Sequence, residues 1–131
     1  MRLNLKLFLL VFLLPFMINP ASSREDSAEQ AAIVAPHFEQ WVAYSFVREE
    51  LLKNGWEPLI LQSSDVCMNG DMRCVNRPEM NFCSDFGNMS CVFLWRKKNY
   101  FLKVHTGGTE GEAEFDSLEI GTDLKSLGLN H

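Results

Sequence analysis

Cys67, Cys74, Cys83 and Cys91 lie in one polar stretch of the chain, separated by six, eight and seven residues. Thiols in that arrangement could do three kinds of chemistry. Dithiol redox enzymes place two cysteines two residues apart at a helix N-terminus, which lowers one thiol's pKa. These intervals are longer and none of the cysteines opens a convincing helix, so the redox reading is weak. A zinc site gathers closely spaced ligands, often with histidine, but His37, His105 and His131 are scattered. Met68, Met72, Met80 and Met89 lie among the cysteines. Thioether sulfur suits copper(I), although methionine also serves as a flexible filler over irregular loops, and the filler reading is favoured. The third reading is structural. An even cysteine count in an oxidising compartment implies a disulfide framework. Sequence alone does not choose among the three connectivities open to four cysteines. Cys67–Cys74 and Cys83–Cys91 are favoured because each would close a short polar loop, with Gly70 and Gly87 helping the chain to turn back. Each bridge should contribute on the order of 2–3 kcal/mol.

Outside the cysteines, His105 is the best acid–base candidate, near Glu110 and Glu112 in sequence. Strand parity puts it on an outward face with Phe101 and Lys103, and that trio is a candidate interaction face. Its plainer role is that of a surface histidine. Glu49 and Glu50 are helical neighbours that point in different directions, a poor arrangement for sharing a substrate. Glu110, Glu112 and Glu114 do not match a calcium loop and read as a solvated acidic segment. No glycine-rich phosphate loop or nucleophile elbow is present. Asn88 to Ser90 fits a glycosylation acceptor, relevant only in a eukaryotic secretory pathway. No catalytic residue, metal site or cofactor is assigned.

The compartment follows from the first residues. Arg2 and Lys6 precede an apolar run from Leu7 to Ile18, and Ala21, Ser22 and Ser23 close it. That is the layout of a secretory signal peptide cut after Ser23, with an apolar run well short of the ~20 residues that span a bilayer. Losing Arg2 and Lys6 leaves 10 basic against 17 acidic residues, a net charge of −7. Phosphate backbones and anionic membrane surfaces are disfavoured as partners, and a basic protein is favoured.

The remaining chain supplies the frame. Residues 24–36 read as an N-terminal arm in which Ser27 and Gln30 have capping-box spacing. Residues 37–131 read as one α+β domain. Its main helix is expected over His37–Gly55, with Phe38, Trp41, Val42, Phe46 and Leu52 as its apolar stripe, widened by Tyr44, Val47 and Leu51, and with Gly55 as a left-handed stop. Trp56–Gln62 is expected as a strand that Pro58 confines to an edge, followed by a long loop from Ser63 to Ser90. Alternation in Cys91–Arg96 and Tyr100–Thr106 predicts a hairpin. A two-residue turn at Lys98–Asn99, with Asn99 suited to positive φ, would pair Trp95 with Leu102 and Phe93 with Val104. Phe115–Ile120 is a weaker last strand, and the tail has no assignment. The sum is one main amphipathic helix packed on a mostly antiparallel sheet of about four strands, with a disulfide-stapled loop.

The order Gly55-Trp56, Pro78-Glu79, Cys83, Gly87, Cys91, Phe93, Trp95, then Leu102, Val104, Thr106 and Gly108 resembles a group of small exported bacterial proteins of unknown function. The resemblance spans about residues 44–108 and implies a helix-plus-sheet periplasmic fold. It carries over no catalytic residue. The helix-then-sheet order is also similar to small inhibitor and peptidase-propeptide-like domains, as fold analogy alone. The functional expectation is a periplasmic or secreted, non-enzymatic protein that binds or inhibits a protein partner such as an envelope enzyme or toxin. The alternatives are a small hydrolase or ligand-binding enzyme using His105, and a copper-binding protein using the Met/Cys loop.

Overall fold

The computed structural model describes residues 35–108 and 111–129. The expected signal segment, residues 24–34 of the arm with Ser27 and Gln30, Glu110 and His131 lie outside the described residues. The described elements are helix α1 (Tyr44–Lys53), strands β1 (Glu57–Pro58), β2 (Met80–Cys83), β3 (Cys91–Lys97), β4 (Tyr100–Gly107) and β5 (Glu114–Gly121), and a 3₁₀ turn at Lys125–Leu127. They make an α+β fold with one antiparallel sheet of five strands rather than four. Among the described residues no helix is long and apolar enough to cross a membrane.

The hairpin follows the alternation. Phe93 pairs with Val104 and Trp95 with Leu102, across a two-residue turn at Lys98–Asn99. The left-handed residue of that turn is Lys98, at φ 53°, and not Asn99 as expected. Cys91, Phe93, Trp95, Leu102, Val104 and Thr106 are all buried, and the helix covers that face.

The helix is shorter than its apolar pattern predicts, and its stripe is rotated. Residues 41–44 are held to the start of β5 instead. Trp41 N–H donates to Phe115 O at 2.7 Å, Phe115 N–H to Val42 O at 2.8 Å, and Tyr44 N–H to Ala113 O at 2.8 Å. Ladder bonds at the sheet edge therefore override helical spacing before Tyr44. The buried helical stripe is Tyr44, Val47 and Leu51, spaced by three and four residues. Trp41, Phe46 and Leu52, expected to face the core, are exposed. The C-terminus behaves as expected: Gly55 takes φ +79°, its N–H bonds Leu52 O, and Trp56 N–H bonds Leu51 O. This is the Schellman arrangement, with Trp56 packed into the core behind it.

Two short strands share the free edge of β3, which explains two further departures. β1 pairs with Trp95 and Arg96, while β2 pairs with Cys91, Val92 and Phe93. Pro58 has no N–H to extend β1. After Leu59 N–H bonds Leu94 O at 2.9 Å, the chain leaves the edge, because β2 occupies the rest of it. The expected strand over Leu59–Gln62 is therefore absent, and Ile60 is exposed. β2 itself arises inside the segment expected to be loop. On the far face of the sheet, Lys103 Nζ donates to Leu127 O at 3.1 Å, and Leu94, Leu124 and Leu127 are buried outside the main core cluster.

Candidate functional site

Two disulfides form in the segment between β1 and β3: Cys67–Cys74 and Cys83–Cys91. Cys83 and Cys91 are partners across the β2–β3 pairing, so the second bridge fixes where β2 ends. The first closes a loop of turns around Gly70, which takes φ +85°.

Arg73 joins the two crosslinked loops. It is 6% exposed, and its guanidinium has five polar contacts. On its own loop it grips Asp71 with a two-point fork, Nε to Oδ1 at 2.9 Å and a terminal nitrogen to Oδ2 at 2.7 Å. On the other loop it donates to Ser84 O at 2.7 Å and Met89 O at 3.0 Å, and reaches Asp85 Oδ1 at 3.3 Å. A planar fork with five donors can satisfy both loops at once; an ammonium cannot. The Arg73 side chain holds the Asp71 carboxyl below its usual range.

Between the loops lies a hollow of about 240 Å³. Asp65, Asp71 and Asp85 contribute carboxylates to its lining, and Cys67, Cys74 and Cys83 contribute sulfur. With Arg73 as the local cation, the surroundings keep a net negative charge. This part of the chain exposes Val66, Met68, Met72, Val75, Phe82 and Phe86, with Val66 at 89% and Phe86 at 85%, and of these Val66 and Met68 line the hollow. Large apolar side chains held out on pinned loops are costly to leave in water, and such surfaces commonly serve contact.

The chain matches no family model, and no curated protein or solved structure is significantly similar to it.

Beneath the site runs a buried polar chain. Trp95 Nε1 donates to Tyr44 Oη at 3.1 Å, Tyr44 donates to Glu79 Oε1 at 3.1 Å, and Arg48 Nε donates to the same oxygen at 2.8 Å. Glu79 is completely buried, immediately before β2. Burial, with the Glu79 charge beside it, pushes the Tyr44 hydroxyl well above its ordinary pKa. Arg77 lies over the Tyr44 ring at 4.9 Å and bonds Glu112 at 2.8 Å. Glu112 in turn accepts the Ser45 N–H at 3.0 Å, supplying from a distant loop the anion that the first turn of α1 lacks in its own sequence. The Ser45 bond, with Arg77 beside it, keeps the Glu112 carboxyl below its usual range.

The remaining candidates sit apart from the hollow. Phe101, Lys103 and His105 are half-buried on the sheet face opposite the helix. His105 Nε2 lies 2.6 Å from Glu119 Oε1, and Lys103 Nζ lies 3.6 Å from the same oxygen. His105 therefore partners Glu119 across the sheet, not the Glu112 near it in sequence. The bond from His105 lowers the Glu119 carboxyl. For copper, the four cysteines are joined in pairs and Met80 is in the core, while Met68 and Met72 face solvent. Asp71, Cys74 and Cys83 gather with their ligand atoms within 4.8 Å of one another, but Asp71 is taken by Arg73 and both sulfurs are in disulfides. Sequence reasoning missed Arg73, Arg77 and Glu79. Their signal was weak: charged residues within a cysteine segment, whose partners lie up to 35 residues away.

Proposed function

We propose that this is an exported, non-enzymatic protein that binds a basic protein partner through the disulfide-crosslinked segment. The observation that carries the reading is the exposure of Val66 and Met68 at a hollow lined by three aspartates, with Phe86 exposed next to one of them, Asp85, on a segment that two disulfides and Arg73 hold in place. Preformed loops lose little entropy on binding. Val66 and Phe86 supply apolar anchors, while Asp65 and Asp85 attract a cationic segment. The −7 charge expected for the exported chain draws a basic partner in from a distance. Disulfides fit an oxidising compartment outside the cytoplasm, and a periplasmic location is part of the proposal. Inhibition of an envelope enzyme or toxin is one use such a contact would serve.

The test is crosslinked capture from secreted or envelope extract at low salt, comparing the native chain with a Val66→Ser, Phe86→Ser double variant. Both positions are exposed, so the fold should survive. A partner retained by the native chain, lost by the variant and released by salt supports the reading. No specific partner, or the same set on both baits, overturns it.

A further inference from the structure

The two disulfides are far closer in space than their spacing in sequence suggests. Cys74 Sγ and Cys83 Sγ, one from each bridge, lie within 4.8 Å of each other. Their burial is graded: Cys67 and Cys83 are half-exposed and line the hollow, while Cys74 is 2% and Cys91 0% exposed. Thiol–disulfide exchange needs an accessible sulfur for the incoming thiolate and a second disulfide within reach of the thiolate that leaves. The hollow offers the first at Cys67 and the second at Cys83.

We propose that the two bridges form a single thiol–disulfide exchange site for which a dithiol is the reductant. One thiolate of the dithiol attacks Cys67 Sγ. The Cys67–Cys74 bond breaks, a mixed disulfide forms on Cys67, and Cys74 leaves as a thiolate. The dithiol's second thiolate then attacks its own sulfur in the mixed disulfide. The dithiol departs as a disulfide and Cys67 as a thiol, so two electrons have passed from dithiol to protein. Cys74 attacks Cys83 Sγ without net redox change: the Cys74–Cys83 bond forms, the Cys83–Cys91 bond breaks, and Cys91 takes up a proton as a thiol. The bridge between β2 and β3 is thereby exchanged for one between the two loops. Arg73 spans both loops throughout and keeps the two sulfurs in register. The aspartates around Cys67 favour a neutral or cationic dithiol over an anionic one. This inference does not depend on the protein-binding reading.

The test uses the oxidised native protein and a limiting amount of dithiothreitol, a neutral dithiol, followed by rapid alkylation and mapping of the crosslinked peptides. The expected product carries label on Cys67 and Cys91 and a Cys74–Cys83 bridge. Label on Cys67 and Cys74 with Cys83–Cys91 intact overturns the proposal, as does simultaneous labelling of all four. Two single variants test it without a reductant. Cys67→Ser should move the free thiol from Cys74 to Cys91, and Cys91→Ser should move it from Cys83 to Cys67, both converging on the same Cys74–Cys83 bridge. A free thiol that stays at Cys74 and Cys83 respectively overturns it. Where a variant fails to fold, the native-protein experiment decides alone.

Discussion

Replacing Arg73 with Ala tests whether the crosslinked segment is one rigid unit or two independent loops. The side chain is nearly fully buried, and its loss removes the fork to Asp71 and the two bonds to Ser84 O and Met89 O. Hydrogen bonds to a charged group contribute roughly 1.5–3 kcal/mol each. Water can re-solvate the 60%-exposed Asp85 and part of Asp71 once the cavity opens, so the sum overstates the cost. Breaking one side of a buried pair costs about 3–5 kcal/mol, and the lower end, about 3 kcal/mol, is the expected value here. For a domain of this size that is a fall in Tm of about 15 °C. The assay is thermal unfolding with both disulfides intact, checked by mass. Arg73→Lys keeps the charge but not the fork and should recover less than half of the loss. A fall below about 1 kcal/mol for Arg73→Ala would refute the view that the guanidinium couples the loops, as would full recovery in the lysine variant.

The Tyr44→Phe variant should lose about 2 kcal/mol, because it strands Trp95 Nε1 and removes one bond to Glu79 in the core; urea midpoints measure it. Gly55→Ala should cost about 1–2 kcal/mol, since the φ of +79° is left-handed although space for a methyl exists; an unchanged midpoint would count against the Schellman stop. Asp71 and Glu112 have folded pKa values below their unfolded ones. Their stabilisation is therefore present above the ordinary carboxylate range, about pH 4, and fades as pH falls through the lower folded values; Asp71→Asn should flatten that acid loss in a pH series of Tm. Tyr44 has the opposite sense. Its raised pKa leaves stability intact below about pH 10, with loss only as pH climbs from there toward the folded value, and Tyr44→Phe should remove that alkaline component.

The parts of the fold that the sequence reveals are those decided by neighbours. The β3–β4 register follows from parity around a two-residue turn, and Gly55 announces the end of α1 because only the local backbone matters there. The disulfide pairing is favoured by loop length alone. What the sequence hides depends on partners far along the chain. Residues 38–43 carry helical spacing, yet the start of β5 claims the backbone of residues 41–44, and nothing near Trp41 signals that. Leu59–Leu61 has strand composition, yet loses its place on β3 to β2, whose Asn81 and Phe82 give no strong alternation. The site residues are hidden for the same reason. Arg73 and Glu79 become central only when Ser84, Met89, Tyr44 and Arg48 arrive beside them.

The division of β3's outer margin between two fragments bears on how this molecule meets others. β1 has two residues and β2 four, and Asp65 N–H already occupies Asn81 O on the outer side of β2. At the opposite margin, Trp41–Tyr44 takes up the first part of β5. On β3's margin a visiting peptide finds little unpaired backbone on which to stack as an extra strand, whereas the later part of β5, beyond Phe115, is the margin where an added strand would have to dock.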